Sequence, residues 1–152
     1  MYYIEPFLLC RASVSPPTQY GGQRPPTAQW TVTASGAAIV EKDVGDVVVT
    51  AGTAGRIVDM GINDANNIVA AMAPAAYDTL SCLFSDTGTS PDDYDIILSG
   101  DLGVIGSDIL RDIASKNGYD IYKQHNDCGC MIFDVNKQDV QSGGSGCGCV
   151  AG

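Results

Sequence analysis

"SPDDYDIILSGDLGVIGSDILRDIASKNG", residues 90–118, is the stretch whose reading decides the fold. Its acidic start reads as a solvated loop opening into a helical turn. Residues 95–99 follow as a short apolar run bounded by turn signals, which suits a buried strand. "GSDILRDIASKNG" then carries apolar residues at helical spacing, with Ser107 as the expected N-cap and Gly118 as the residue that closes the helix. A buried strand followed by a helix is the unit of an α/β protein, and Asp101 falls just beyond the carboxyl end of the strand, where such sheets bind ligands. Asp101 can equally serve as a helix cap.

Outward from there the pattern continues. Upstream, "DANNIVAAMAPAAYDTLSCLFSDTG" reads as a helix with Asp64 as N-cap and apolar positions through Met72, Ala76, Leu80 and Leu83. Pro74 there marks the first turn of a second helical segment. Residues 30–42 read as a strand bent at Ser35-Gly36, and residues 47–50 as another. Residues 16–29, with two Pro pairs and a Gly pair, read as turns. Downstream, "DIYKQHN", "CMIFDV" and "DVQSGG" read as short strands and turns. Alternating helices and strands predict an α/β class with a mostly parallel sheet covered by helices.

The totals fit one domain with a hydrophobic core: 152 residues, 45% apolar and 17% charged. A formal net charge of −10, with eight scattered basic residues, argues against nucleic acid as a partner, because phosphate binding needs clustered Lys and Arg. The N-terminal "MYYIEPFLLC" lacks a basic n-region and a long apolar core, so no signal peptide is read, and no apolar run approaches the ~20 residues of a membrane span. A soluble protein in a reducing compartment is expected, its six cysteines serving as buried apolar or site residues rather than disulfides.

Two Cys-x-Cys pairs invite three readings. Zinc sites space their thiolates by two to four residues, wider than Cys128-Gly129-Cys130 or Cys147-Gly148-Cys149, and a second histidine is lacking. Metal and disulfide are the weaker readings. A glycine loop in "GGSGCGC", residues 143–149, is the stronger one, since it allows close backbone approach and offers N–H donors. His125 is the single histidine, with Asn126, Asp127 and Cys128 beside it to hydrogen-bond a small polar ligand; a satisfied loop histidine is the alternative. Neither a Ser elbow, a Walker loop nor a dinucleotide fingerprint is present, which leaves catalysis by the chain alone unsupported.

Six stretches in order, "YGGQRPPTA" (20–28), "TVTASGAAIV" (31–40), "GRIVDMGINDANNIVAAMAPAAYDTL" (55–80), "TSPDDYDIILSGDLGVIGSDIL" (89–110), "HNDCG" (125–129) and "GGSGCGC" (143–149), together resemble the stage V sporulation protein AD family. Cys130 departs from that pattern, which has an apolar residue after "DCG". The resemblance implies a thiolase-like fold, here mostly its C-terminal half and incomplete, with residues 1–15 unmatched and residues 16–152 forming a partial domain. It implies a non-catalytic protein that binds dipicolinic acid for uptake into the developing spore. It also implies membrane proteins of the same operon as partners, a peripheral position on the cytoplasmic side of the spore inner membrane, and a homodimer.

No cofactor is implied. The ligand site would be His125, Asn126, Asp127, Cys128, Asp101, Gly144, Ser145, Gly146 and Cys147, with Arg24 as a further positive group. Calcium accompanying dipicolinate would find hard oxygen ligands in Asp101 and Asp127. The rival readings are an active acyltransferase with His125 as base toward a cysteine in the missing half, and a truncated fragment without function.

Overall fold

The computed structural model describes residues 25–42, 47–64, 67–146 and 148–151. In chain order these form β1 (Trp30–Thr31), α1 (Ile68–Thr87), a single 3-10 turn (Pro91–Asp93), β2 (Ile97–Ser99), α2 (Gly103–Lys116), β3 (His125–Asp127), α3 (Cys128–Ile132), β4 (Gly144–Ser145) and α4 (Gly148–Ala151). The expected α/β class is observed, with parallel strand pairing. β2 lies beside β3 in a register that sets Ile97 opposite His125 and Ser99 opposite Asp127. β1 lies beside β4, Trp30 opposite Gly144.

The core sits where α1 and α2 pack together over β2. Ala73 and Phe84 of α1, Ile97 of β2, Leu110 and Ala114 of α2, and Leu102 and Ile121 form one buried cluster. Phe84 is its centre, with ring centroids 5.7 Å from Tyr94 and 5.1 Å from Tyr119 in tilted arrangements, a geometry aromatic pairs favour. Before β2, Ser90 and Asp93 form a capping box on the 3-10 turn, so the acidic stretch at 90–95 is a capped turn leading into the strand.

Several expectations are corrected. α1 is one continuous helix, with Pro74 inside it and Asn67, not Asp64, at its N-cap; the packing of Ala73 and Phe84 outweighs the one backbone bond that proline removes. By length and composition α1 is long and apolar enough to cross a membrane, contrary to the expectation that no apolar run approaches a span. It nevertheless carries Asp78 and Asp86 and packs on α2. α2 begins at Gly103, and Ser107 is a buried interior residue rather than its cap.

The strand expected over residues 30–42 is confined to Trp30–Thr31, and residues 47–50 form none. Ile39, Val40, Val47 and Val49 are all exposed. A β-branched run becomes a strand only when a neighbouring strand accepts its backbone bonds, and among the described residues these have no such neighbour. One point of attachment is Arg56, whose guanidinium donates from Nε to Asp78 Oδ2 at 2.8 Å and from Nη2 to Oδ1 at 2.5 Å. That fork raises the Arg56 pKa and lowers that of Asp78. "CMIFDV" is the helix α3 at its start rather than a strand.

Candidate functional site

The site is built at the carboxyl ends of β2 and β3. Side chains alternate across a strand, so in β3 His125 and Asp127 face one way and are buried, 1% and 2% exposed, while Asn126 faces out. The parallel register sets Ser99 directly opposite Asp127. Ser99 Oγ donates to Asp127 Oδ2 at 2.8 Å and lies 2.9 Å from His125 Nε2.

Asp127 then does for α2 what no residue in α2's own sequence does. A helix leaves its first four N–H groups without internal acceptors. Here Leu102 N–H donates to Asp127 Oδ2 at 3.2 Å and Gly103 N–H to Oδ1 at 3.0 Å. Val104 N–H donates to the Ser142 carbonyl at 2.8 Å, and Ile105 N–H to Ser142 Oγ at 3.2 Å. Gly106 N–H reaches the Leu102 carbonyl and the helix proceeds. Asp127 also caps α3 through Gly129 N–H at 3.0 Å. One carboxylate thus accepts four hydrogen bonds and joins β2, β3, α2 and α3.

This arrangement demands glycine at two places. Gly103 has a left-handed φ of 61°, and a Cβ there would drive into the Ser142 carbonyl oxygen. At Gly129 a Cβ would meet the Gly144 carbonyl carbon at 2.8 Å, which fixes how closely α3 approaches β4. The glycine loop and "HNDCG" are therefore in backbone contact.

Asp101 stands beside them in a left-handed conformation, φ 63°, uncommon for a residue with a side chain. Its carbonyl accepts from Gln29 Nε2 at 2.9 Å, and its carboxylate Oδ1 accepts from Gly146 N–H at 2.6 Å. Asp101 therefore caps neither helix; it ties the β2–α2 loop to the glycine loop. Gly143 N–H is held by the Val140 carbonyl, so two of the N–H donors expected to be free in that loop already have internal acceptors.

The structure thus brings Asp101, Asp127, Cys128, Gly144, Ser145 and Gly146 together around the strand ends. It sets His125 one layer deeper and turns Asn126 to solvent. Cys147 and Arg24 lie outside the described residues. Ser99 and Ser142, neither singled out from sequence, complete the network. Ser142 had no local signature, because it caps a helix that begins nearly forty residues earlier.

Burial, with the Arg111 guanidinium beside it, pushes His125 down to about 4, so the imidazole is neutral at pH 7. Arg111 Nη2 donates to the His125 carbonyl at 2.8 Å. Burial pushes the Cys130 thiol up to about 11 and Cys149 up to about 12, the nearby carboxylates adding to the shift, and Cys128 is raised for the same reasons. A nucleophilic cysteine needs the opposite shift. No group of three or more His, Cys, Asp or Glu among the described residues could hold a metal ion. Both oxygens of Asp127 already accept hydrogen bonds, so a calcium ion there would displace helix-capping N–H groups.

Against known proteins, the family model described as stage V sporulation protein AD matches residues 13–152. The chain is 47% identical over 135 residues to stage V sporulation protein AD of Bacillus subtilis (strain 168), an alignment covering 89% of this chain and 40% of that protein. The chain thus spans about two fifths of the length of that curated relative.

Proposed function

Because the chain belongs to the stage V sporulation protein AD family, we propose that it serves sporulation by binding dipicolinate for uptake into the spore, as a non-catalytic member of the thiolase-like group. The observation that carries this reading is the Gly146 N–H aimed at the Asp101 carboxylate at 2.6 Å. That amide already donates to a carboxylate beside the ends of parallel strands, and one carboxylate of a pyridine dicarboxylate would take the place of Asp101 there. The raised thiol pKa values of Cys128, Cys130 and Cys149 argue against any of these three as an acyl-transfer nucleophile. Membrane proteins encoded with it are the partners this role requires, and a peripheral position at the spore inner membrane follows from them.

The test is thermal unfolding with and without dipicolinate. Ligand at about 100 times its dissociation constant stabilises the folded state by roughly 2.7 kcal/mol and raises the midpoint. A midpoint that does not move at millimolar dipicolinate, in this chain and in the full-length protein alike, refutes the reading. Turnover of an acyl-coenzyme A by the full-length protein would replace it with the acyltransferase.

A further inference from the structure

We propose that Ser99 is a positioning residue that holds His125 in a single tautomer, protonated on Nε2, with Nδ1 kept as a buried acceptor. The direction of the hydrogen-bond chain decides this. Three backbone N–H groups, from Leu102, Gly103 and Gly129, point at the two oxygens of Asp127, so both oxygens act as acceptors. A carboxylate only accepts, so the single hydroxyl proton of Ser99 goes to Oδ2 at 2.8 Å. Towards His125 the Ser99 oxygen then has only lone pairs to offer. At 2.9 Å the ring nitrogen must be the donor, and the proton of the neutral imidazole sits on Nε2.

The other side of the ring agrees. His125 Nδ1 is buried without a hydrogen-bond partner, as are Arg111 Nε and Ser107 Oγ on α2. Arg111 also binds the His125 carbonyl, so its positive charge lies beside the ring and favours a lone pair there over a second proton. The order carboxylate, hydroxyl, imidazole is the reverse of a nucleophile triad. The serine sits in the middle and donates its hydrogen bond to the carboxylate, so it transmits orientation and is not activated for attack.

This sets what His125 can recognise. A group that reaches Nδ1 must be a hydrogen-bond donor, such as a hydroxyl, a protonated nitrogen or a water. A carboxylate has no proton to give. In the dipicolinate reading, on which this consequence rests, the carboxylates go to N–H donors and His125 acts through Ser99, which bonds both it and Asp127 at the strand ends.

The experiment is long-range proton–nitrogen correlation on 15N-labelled protein at pH 7, where the single histidine makes assignment unambiguous. The expected spectrum shows one neutral tautomer with the proton on Nε2. Ser99→Ala removes the acceptor and is expected to populate both tautomers, and Ser99→Thr, which keeps the hydroxyl, restores one. Asp127→Asn is the sharper variant. Its oxygen stays on the Gly103 and Gly129 N–H groups, and its NH2 donates to Ser99, which then donates to His125. The ring proton is expected to move to Nδ1. A wild-type proton on Nδ1, or Ser99→Ala and Asp127→Asn spectra both unchanged from wild type, would overturn the assignment. The wild-type spectrum decides the direction of the chain even where a variant does not fold. The tautomer is read without ligand, so it and dipicolinate binding can fail separately.

Discussion

Replacing Asp127 tests whether one carboxylate holds the strand ends and two helix starts together. Asp127→Ala leaves the N–H groups of Leu102, Gly103 and Gly129 and the hydroxyl of Ser99 without their acceptor, at a position 2% exposed. A buried donor left unpaired costs about 1–3 kcal/mol. Three amides, partly rescued by water entering the space, give an expected loss of roughly 3–6 kcal/mol, a large share of the stability of a domain this size. Asp127→Asn keeps an oxygen for Gly103 and Gly129 and forfeits the Leu102 bond, so about 1–3 kcal/mol is expected. Urea unfolding followed by far-ultraviolet circular dichroism measures both, as a lower midpoint at unchanged slope. Asp108→Ala, which removes only an exposed ion pair with Arg111 at 3.4 Å, is the control and is expected to stay within about 0.5 kcal/mol. An Asp127→Ala chain within 1 kcal/mol of wild type would refute the reasoning, because the helix would then be drawing its caps from elsewhere.

Three further outcomes are expected. His125 titrates at about 4 in the folded chain against about 6.5 unfolded, so its stabilising contribution is complete above pH 6.5 and is lost as pH falls towards 4. The loss is about 3 kcal/mol, and a wild-type minus His125→Gln difference that is flat over that window would contradict it. Gly129→Ala forces a Cβ against the Gly144 backbone and should cost about 1–3 kcal/mol by overpacking, read by the same urea assay; a neutral result would mean that α3 and β4 do not touch. Cys149, 2% exposed and pushed up to about 12, should react with iodoacetamide at pH 8 at least about 100-fold more slowly than a free thiol. Peptide mass spectrometry reads the labelling, and rapid modification of the folded chain would show the thiol accessible.

The β2–α2 unit was legible because its signals are local: a short apolar run, a glycine turn, and apolar residues at helical spacing closed by Gly118, whose φ is 90°. The shared face of His125 and Asp127 was not legible, since "DIYKQHN" read only as short strands and turns; it follows from β3 being a strand, buried at both residues and exposed at Asn126. The start of α2 was not legible. Ser107 has the right chemistry for a cap, yet the acceptors come from Asp127 and Ser142, 24 and 37 residues away from the amides they hold. A cap supplied by tertiary structure leaves no trace beside the helix it serves. The runs at 30–42 and 47–50 carry β-propensity, but propensity does not provide the second strand. "CMIF" was too short for its periodicity to tell helix from strand. Of the site, the resemblance to a family picked out the residues gathered at the strand ends, while the hydrogen bonds assigning them structural work became visible only in three dimensions.

The non-local capping of α2 also bears on how the chain folds. Its first turn has no nucleating cap within reach along the backbone, so in the unfolded chain it gains nothing until β3 has docked beside β2. Closing that loop of about 25 residues carries an entropic cost before any bond rewards it. The amides of Leu102 and Gly103 should consequently exchange with solvent deuterium together, at one common rate, as members of a single cooperative opening. The C-terminal turns of α2, bonded within the helix, are free to fray on their own.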